Sequence, residues 1–135
     1  MSNVNILLAQ WKDKIPNDGY FLLQEKLKDA DSNSLMVLSH LHLKSCFIGF
    51  VLGFFLGGFG IDRFYKGDIG LGIVKCLLFG IFYVIACFAM IVDVFGIIFL
   101  LPILLTIGMW CFIDLFLVWR GIKQDNLKKI LIALG

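Results

Sequence analysis

The chain has 135 residues, one domain's length, and is 60% hydrophobic and only 16% charged, where ordinary soluble domains carry about 25% charge. Ten acids and twelve bases cannot cover the large relative surface of so small a chain. This excludes a soluble monomer, a disordered chain and a nucleic-acid-binding domain driven by a basic surface. The cysteines, Cys46, Cys76, Cys87 and Cys111, lie inside apolar runs with no CxxC pair. Neither a disulfide framework nor a zinc site is expected.

Residues 1–44 hold ten of the twenty-two charges and read as short helices. Val4, Leu7, Leu8, Trp11 and Ile15 recur at helical spacing, with Pro16 closing the segment. Asn17 and Asp18 offer a cap for a second helix carrying Phe21, Leu23, Leu27 and Ala30 on roughly one face. Asp31-Ser32-Asn33-Ser34 is a breaker with a fresh cap, before a third helix with Leu35, Leu38 and Leu41. His40 and His42 stand two apart, where a helical metal pair needs three or four. Solvated or interfacial histidines are expected instead. A region this small is marginal as an independent core, so it must lean on the membrane, on other helices or on a second copy.

From Ser45 to Trp119 only seven charges occur, five of them at Asp62, Arg63, Lys66, Asp68 and Lys75. The uncharged runs Ser45–Ile61, Cys76–Val92 and Val94–Ile113 are candidates for bilayer spans, which need about 20 residues. Cys76–Trp119 as one straight helix would be ~66 Å long, about twice the hydrocarbon thickness, so it must fold back. Asp93-Val94-Phe95-Gly96 suits the turn. Turning at Pro102 would strand Asp93 in lipid, at about 2.5–3.5 kcal/mol; a proline inside the third span costs less. The expected architecture is all-α, with about three transmembrane helices near 45–61, 71–92 and 97–119. A polar helical region (1–44) precedes the membrane domain (45–120), and a basic tail (121–135) follows it. No secretory signal is expected, because the apolar run begins after a long polar start.

Three crossings put the 62–75 loop and the tail on one side, with seven basic residues against Lys44 and Lys28 on the other. The positive-inside rule then places the loop and C-terminus in the cytoplasm and the N-terminal region outside. If the third segment is re-entrant, both termini are cytoplasmic and the loop lies outside.

Leu56-Gly57-Gly58-Phe59-Gly60-Ile61-Asp62-Arg63-Phe64-Tyr65-Lys66-Gly67-Asp68 is a long, ordered string. Followed by Gly70-Leu71-Gly72-Ile73-Val74-Lys75 and then by Gly108-Met109-Trp110-Cys111-Phe112-Ile113-Asp114-Leu115, it resembles the TM-two (two-transmembrane) domain family. That family has a glycine-rich first span, an Asp-Arg-Phe turn with Tyr-x-Gly, and a second span ending in Trp-x-x-Ile-Asp-Leu. The resemblance covers residues 45–120 and extends to the helical N-terminal region and tail seen in bacterial members. The chain departs from the pattern between Lys75 and Leu104, where the extra length is enough for one additional crossing. The resemblance implies membrane architecture and supplies no activity to carry over.

Gly49, Gly53 and Gly57 form a small-residue stripe at i, i+4, i+8, and Gly72, Cys76 and Gly80 repeat the spacing. Such stripes let helix backbones approach closely in lipid, either within one protomer or between protomers. The turn Asp62-Arg63-Phe64-Tyr65, with Gly67 after it, puts an ion pair and two aromatics at an interface. It reads as a structural lock between spans or as a docking epitope for a protein partner or an anionic lipid headgroup. Asp114 lies ~8 Å inside the last span and needs a partner; Lys75 is the expected one, with Arg63 as competitor. The pair is structural, or else a proton or cation site lining an oligomeric pore.

No nucleophile–base pair, metal cluster or paired carboxylates appear at usable spacing in the membrane half, so no catalysis and no cofactor are expected. The sequence reads as a small multi-pass protein of the bacterial inner membrane. It self-associates through glycine-rich faces in a structural or interaction role, its partners being the bilayer and its own copies, with no nucleic acid. An oligomeric channel with Asp114 or Asp93 facing water is the alternative.

Overall fold

The computed structural model describes the backbone of residues 2–92 and 94–135, and the side chains of residues 4–89 and 100–135. All regular structure among these residues is helical, in accord with the all-α expectation. The order is α1 (Ser2–Trp11), α2 (Asn17–Lys28), α3 (Ser32–Ser39), α4 (Cys46–Leu56), a 3₁₀ turn (Gly57–Phe59), α5 (Ile61–Lys66), α6 (Ile69–Val92) and α7 (Val94–Leu134). Two compact units are formed, one from Met1–Phe47 with Trp119–Gly135 and the other from Ile48–Val118.

The first unit has an apolar core. α1 ends at Trp11, whose carbonyl accepts the N–H groups of Lys14 and Ile15 at 2.8 and 3.1 Å. Pro16, with φ −71° and ψ 150°, is the residue before α2; its fixed φ and missing N–H suit that position, so it opens the second helix. Asp31 caps α3, accepting the Ser32 N–H at 2.7 Å. Leu7, Leu8, Trp11, Ile15, Leu23, Leu27, Leu38 and Leu43 are buried together with Ile130 from α7. Each such side chain contributes roughly 1.5–3 kcal/mol by leaving water.

Two expectations are corrected here. Phe21 is 75% exposed, because it lies about 200° around the helix from Leu23 while Gly19, Leu23 and Leu27 face inward. The tail is no separate segment either. Ile122, Asn126 and Ile130, at i, i+4, i+8 on α7, are all buried, and Leu127 packs against Gly19. The N-terminal helices are too few to bury a core alone, and α7 supplies what they lack. Segments that share one core cannot lie on opposite faces of a bilayer, so the arrangement with the N-terminal region outside and the tail inside does not hold.

In the second unit α6 and α7 run antiparallel. Lys75 on α6 reaches Asp114 on α7, while Leu78 and Phe79 line one small cavity with Ile107, Trp110 and Cys111. α6 has 24 residues, or ~36 Å of helix, enough to cross ~30 Å of hydrocarbon. Two helical stretches, Ile69–Ala89 and Leu100–Leu134, are long and apolar enough to span a membrane. The third apolar helix, α4, has 11 residues and extends only ~17 Å. The antiparallel course of α6 and α7 is the expected one; of the turn assigned to Asp93–Gly96, Asp93 lies outside the described residues, and Val94, Phe95 and Gly96 belong to the first turn of α7 instead. α7 continues through Pro102 without turning, and the Thr106 hydroxyl donates to the Pro102 carbonyl at 2.8 Å.

α4 and α5 form a tight hairpin. A Cβ on Gly53 would lie 2.6 Å from a Leu115 methyl and 3.4 Å from the Asp62 Cβ, so α4 packs on α7 and on the returning α5. Gly60 makes the reversal, with φ +72° and the Gly72 carbonyl 2.6 Å from where its Cβ would be. Only glycine meets both the backbone angle and the close approach.

Candidate functional site

Six charged side chains of the second unit form one chain of alternating sign. Lys66 Nζ donates to Asp68 Oδ2 at 2.6 Å, and Arg63 Nη1 donates to the same oxygen at 3.2 Å. Arg63 also grips Asp114 with two nitrogens, Nε to Oδ2 at 3.2 Å and Nη2 to Oδ1. Lys75 Nζ donates to Asp114 Oδ2 at 2.5 Å and to Asp62 Oδ2 and Oδ1 at 3.0 and 3.3 Å. The side chains of Asp62 and Asp114 are 0% and 4% exposed, and those of Lys75 and Arg63 are 11% and 13%. Three cations face three carboxylates, so the assembly is neutral.

The sequence builds this locally. α5 is a helix of six residues that sets Asp62 and Arg63 side by side, pointing to different partners. Gly67, with φ +109°, ends it. The N–H groups of Gly67 and Asp68 both donate to the Arg63 carbonyl at 2.9 Å, which returns Asp68 to the Arg63 guanidinium. Lys75 stands on α6 and Asp114 on α7, so the network joins three helices. A bidentate arginine and a lysine shared by two carboxylates satisfy charges whose isolated burial would cost several kcal/mol each. Asp68, between the hairpin and α6, is held below the usual carboxylate range, chiefly by the Lys66 hydrogen bond and also by Arg63, against partial burial.

The expected Lys75–Asp114 contact is present, and Arg63 joins it instead of competing. The expected Asp62–Arg63 pair is replaced: Asp62 belongs to Lys75, and Arg63 to Asp114 and Asp68. Adjacent residues on a helix point about 100° apart, which separates them. Phe64 lays its ring over Gly72, where a Cβ would meet it at 2.8 Å, and Tyr65 is half-buried. The two glycine stripes do not pair with each other. Gly49, Gly53 and Gly57 are buried, with Gly53 against α7 and α5, and Gly72 is covered by Phe64 of α5. Gly80 has open space around it, and Cys76 is exposed.

A polar anchor in the first unit escaped the sequence reading. Asn126 is 1% exposed; its Oδ1 accepts the Lys44 N–H at 3.1 Å, and its Nδ2 donates to the carbonyls of Lys14 and Lys44 at 2.9 and 2.8 Å. Its signal was available: an Asn midway between Ile122 and Ile130 on one helical face is a polar side chain on a buried stripe. Among the described residues no group of His, Cys, Asp and Glu is placed to hold a metal ion.

Neither a curated protein nor a solved structure matches the chain. Residues 42–91 match a family model, that of the TM2 domain. This stretch runs from the approach to α4 to near the end of α6 and includes five of the six members of the charge network, Asp62, Arg63, Lys66, Asp68 and Lys75. The Gly108–Leu115 string with Asp114 lies beyond it. With its all-helical structure and its two long apolar helices, the chain is a membrane protein whose residues 42–91 match the TM2 domain.

Proposed function

We propose that the protein is a multi-pass component of the bacterial inner membrane with a structural and interaction role, and that it self-associates through the open face of α6. The observation that carries this reading is the contrast between the two glycine stripes. The Gly49–Gly57 stripe is buried within the protomer, with Gly53 against α7 and α5, whereas Cys76 and Gly80 are exposed and a Cβ at Gly80 would meet open space. Close backbone approach at such a face favours helix association in lipid. The charge network supports a structural part over permeation, because Asp114 is shared by Arg63 and Lys75 and presents no spare anionic group to a pore.

The same reading gives a topology. α6 and α7 cross as a hairpin, α4 and α5 enter and return, and both chain ends share one side. All twelve Lys and Arg residues lie before Cys76 or after Trp119, so the turn between α6 and α7 carries none. The positive-inside rule assigns the side with both ends to the cytoplasm. No charged N-terminal segment then has to be translocated. The extended second hydrophobic region supplies the length of the hairpin.

A size measurement in lipid nanodiscs or mild detergent tests self-association. Wild-type protein is expected to run as an oligomer and Gly80→Leu as a smaller species of unchanged helicity. A wild-type monomer, or a Gly80→Leu variant of wild-type size, would remove this face from the reading.

A further inference from the structure

The first unit contains a cavity that the charge network and the glycine faces leave unexplained. About 450 Å³ in volume, it is lined by Gln10, Asp13, Lys14, Phe47, Trp119 and Lys123 among others, within the size range of small-molecule sites. Its position along the chain is specific. Ser45 and Phe47 flank the start of the apolar helix α4, and Trp119 closes the apolar part of α7 just before Arg120. Both walls therefore lie where hydrocarbon-compatible sequence gives way to charge. Lys123 stacks on the Trp119 ring with its Nζ 5.7 Å from the centroid, which holds an ammonium at an indole of the kind that settles at headgroup level. Lys14 and Lys123 both line this cavity, so two positive charges border the same space. Neither makes a salt bridge among the described residues. Phe47, 67% exposed, offers an apolar wall beside them.

We infer that this cavity binds the headgroup of a glycerophospholipid, its phosphodiester held by Lys14 and Lys123 at the Trp119 boundary and an acyl chain lying along Phe47. The inference rests on the membrane placement above and is independent of self-association. Two ammonium groups supply the charge-assisted donors a phosphodiester needs. Asp13, on the rim, is an acceptor. It suits a headgroup carrying O–H or N–H donors, glycerol or ethanolamine, over choline, which has none. The site differs from the Asp62–Tyr65 turn, whose charged side chains are already engaged with Lys75, Asp68 and Asp114.

The test uses full-length protein in a neutral detergent with dioctanoyl phosphatidylglycerol as probe, and dioctanoylglycerol, inorganic phosphate and dioctanoyl phosphatidylcholine as comparisons. Native mass spectrometry is expected to show a bound phosphatidylglycerol, held about tenfold more weakly after Lys14→Gln with Lys123→Gln. The exposed pair Lys28→Gln with Lys128→Gln, equal in charge, should bind as wild type. Amine-reactive labelling of the wild-type protein gives a readout that needs no variant: the lipid should shield Lys14 and Lys123 and leave Lys28 and Lys128 open. Unchanged labelling of Lys14 and Lys123, or equal weakening by both double variants, would overturn the site. Equal protection by inorganic phosphate would make it a free-anion site and overturn the lipid. Equal affinity for phosphatidylcholine would overturn the role given to Asp13.

Discussion

Lys75 Nζ lies 2.5 Å from Asp114 Oδ2, across 39 residues of sequence and two antiparallel helices. The contact fixes the register of α6 against α7, because slipping one helix by a single turn would move the charges ~5.4 Å apart and leave Asp114 in an apolar surrounding. Arg63 and Asp62 extend the contact to α5, so one neutral cluster pins three elements.

Removing Asp114 should therefore be costly. Asp114→Leu leaves Arg63 without its bidentate partner, with an expected loss of about 3–5 kcal/mol in a detergent unfolding assay. Lys75→Leu should cost less, since Asp114 retains Arg63, although Asp62 is then left alone. The double variant should fall short of the sum by roughly 0.5–3 kcal/mol. Additive losses would mean that the two side chains do not interact.

The hairpin between α4 and α5 makes a second demand. Gly60→Ala must place a Cβ at φ +72° against the Gly72 carbonyl, at a cost above about 1 kcal/mol. Gly53→Leu meets Leu115 at close range and should destabilise similarly, whereas Ile48→Leu, at a half-exposed position, should be nearly silent. Thermal unfolding of the three variants in detergent checks the order, and a Gly60→Ala as stable as Ile48→Leu would contradict the hairpin.

Much of this was legible in the sequence. Charge segregation disclosed the apolar helices, the length of Cys76–Trp119 required a reversal, and the depth of Asp114 called for Lys75. Three features were not legible. A run of 17 uncharged residues from Ser45 to Ile61 has the composition of a span, but Gly57, Gly58 and Gly60 turn it back, and composition does not record a left-handed φ. Phe21 is apolar and two residues from Leu23, but about 200° of helix separates the two, and apolar composition alone does not record the face. The burial of Asn126 is legible in the Ile122–Ile130 stripe, but its partners, 82 and 112 residues away, are not, because no local pattern encodes such contacts.

Asn126 offers the sharpest test of that core. Asn126→Leu removes the partners of the Lys44 N–H and of the Lys14 and Lys44 carbonyls, each about 1–3 kcal/mol if left buried and unpaired. Asn126→Asp keeps the acceptor for Lys44 N–H but turns a second oxygen toward two carbonyls, and should be at least as harmful. Limited proteolysis of residues 1–44 should accelerate in both variants. Wild-type resistance would separate the tail from the N-terminal helices.

Asp68 gives a pH dependence of known sign. Its folded pKa lies below the unfolded value of about 3.9, chiefly through Lys66. Its contribution to stability is complete above that unfolded value and is lost as the pH falls through the folded one. Stability from this group should be flat between about pH 5 and 8 and decline only in acid. Asp68→Asn should remove that part of the acid limb, and an acid limb identical to wild type would show that Asp68 does not feel Lys66 and Arg63.

The hairpin, the proposed cytoplasmic placement of the core and the lipid site all depend on the side on which the two chain ends lie. Single cysteines at Asn3→Cys, Asp93→Cys and Gly135→Cys, in a background lacking the four native cysteines, can be exposed to an impermeant thiol reagent in intact spheroplasts. Asp93→Cys is expected to label at once, and Asn3→Cys and Gly135→Cys only after the membrane is permeabilised. Labelling of Asn3→Cys in intact spheroplasts while Gly135→Cys stays protected would contradict the account and restore three crossings.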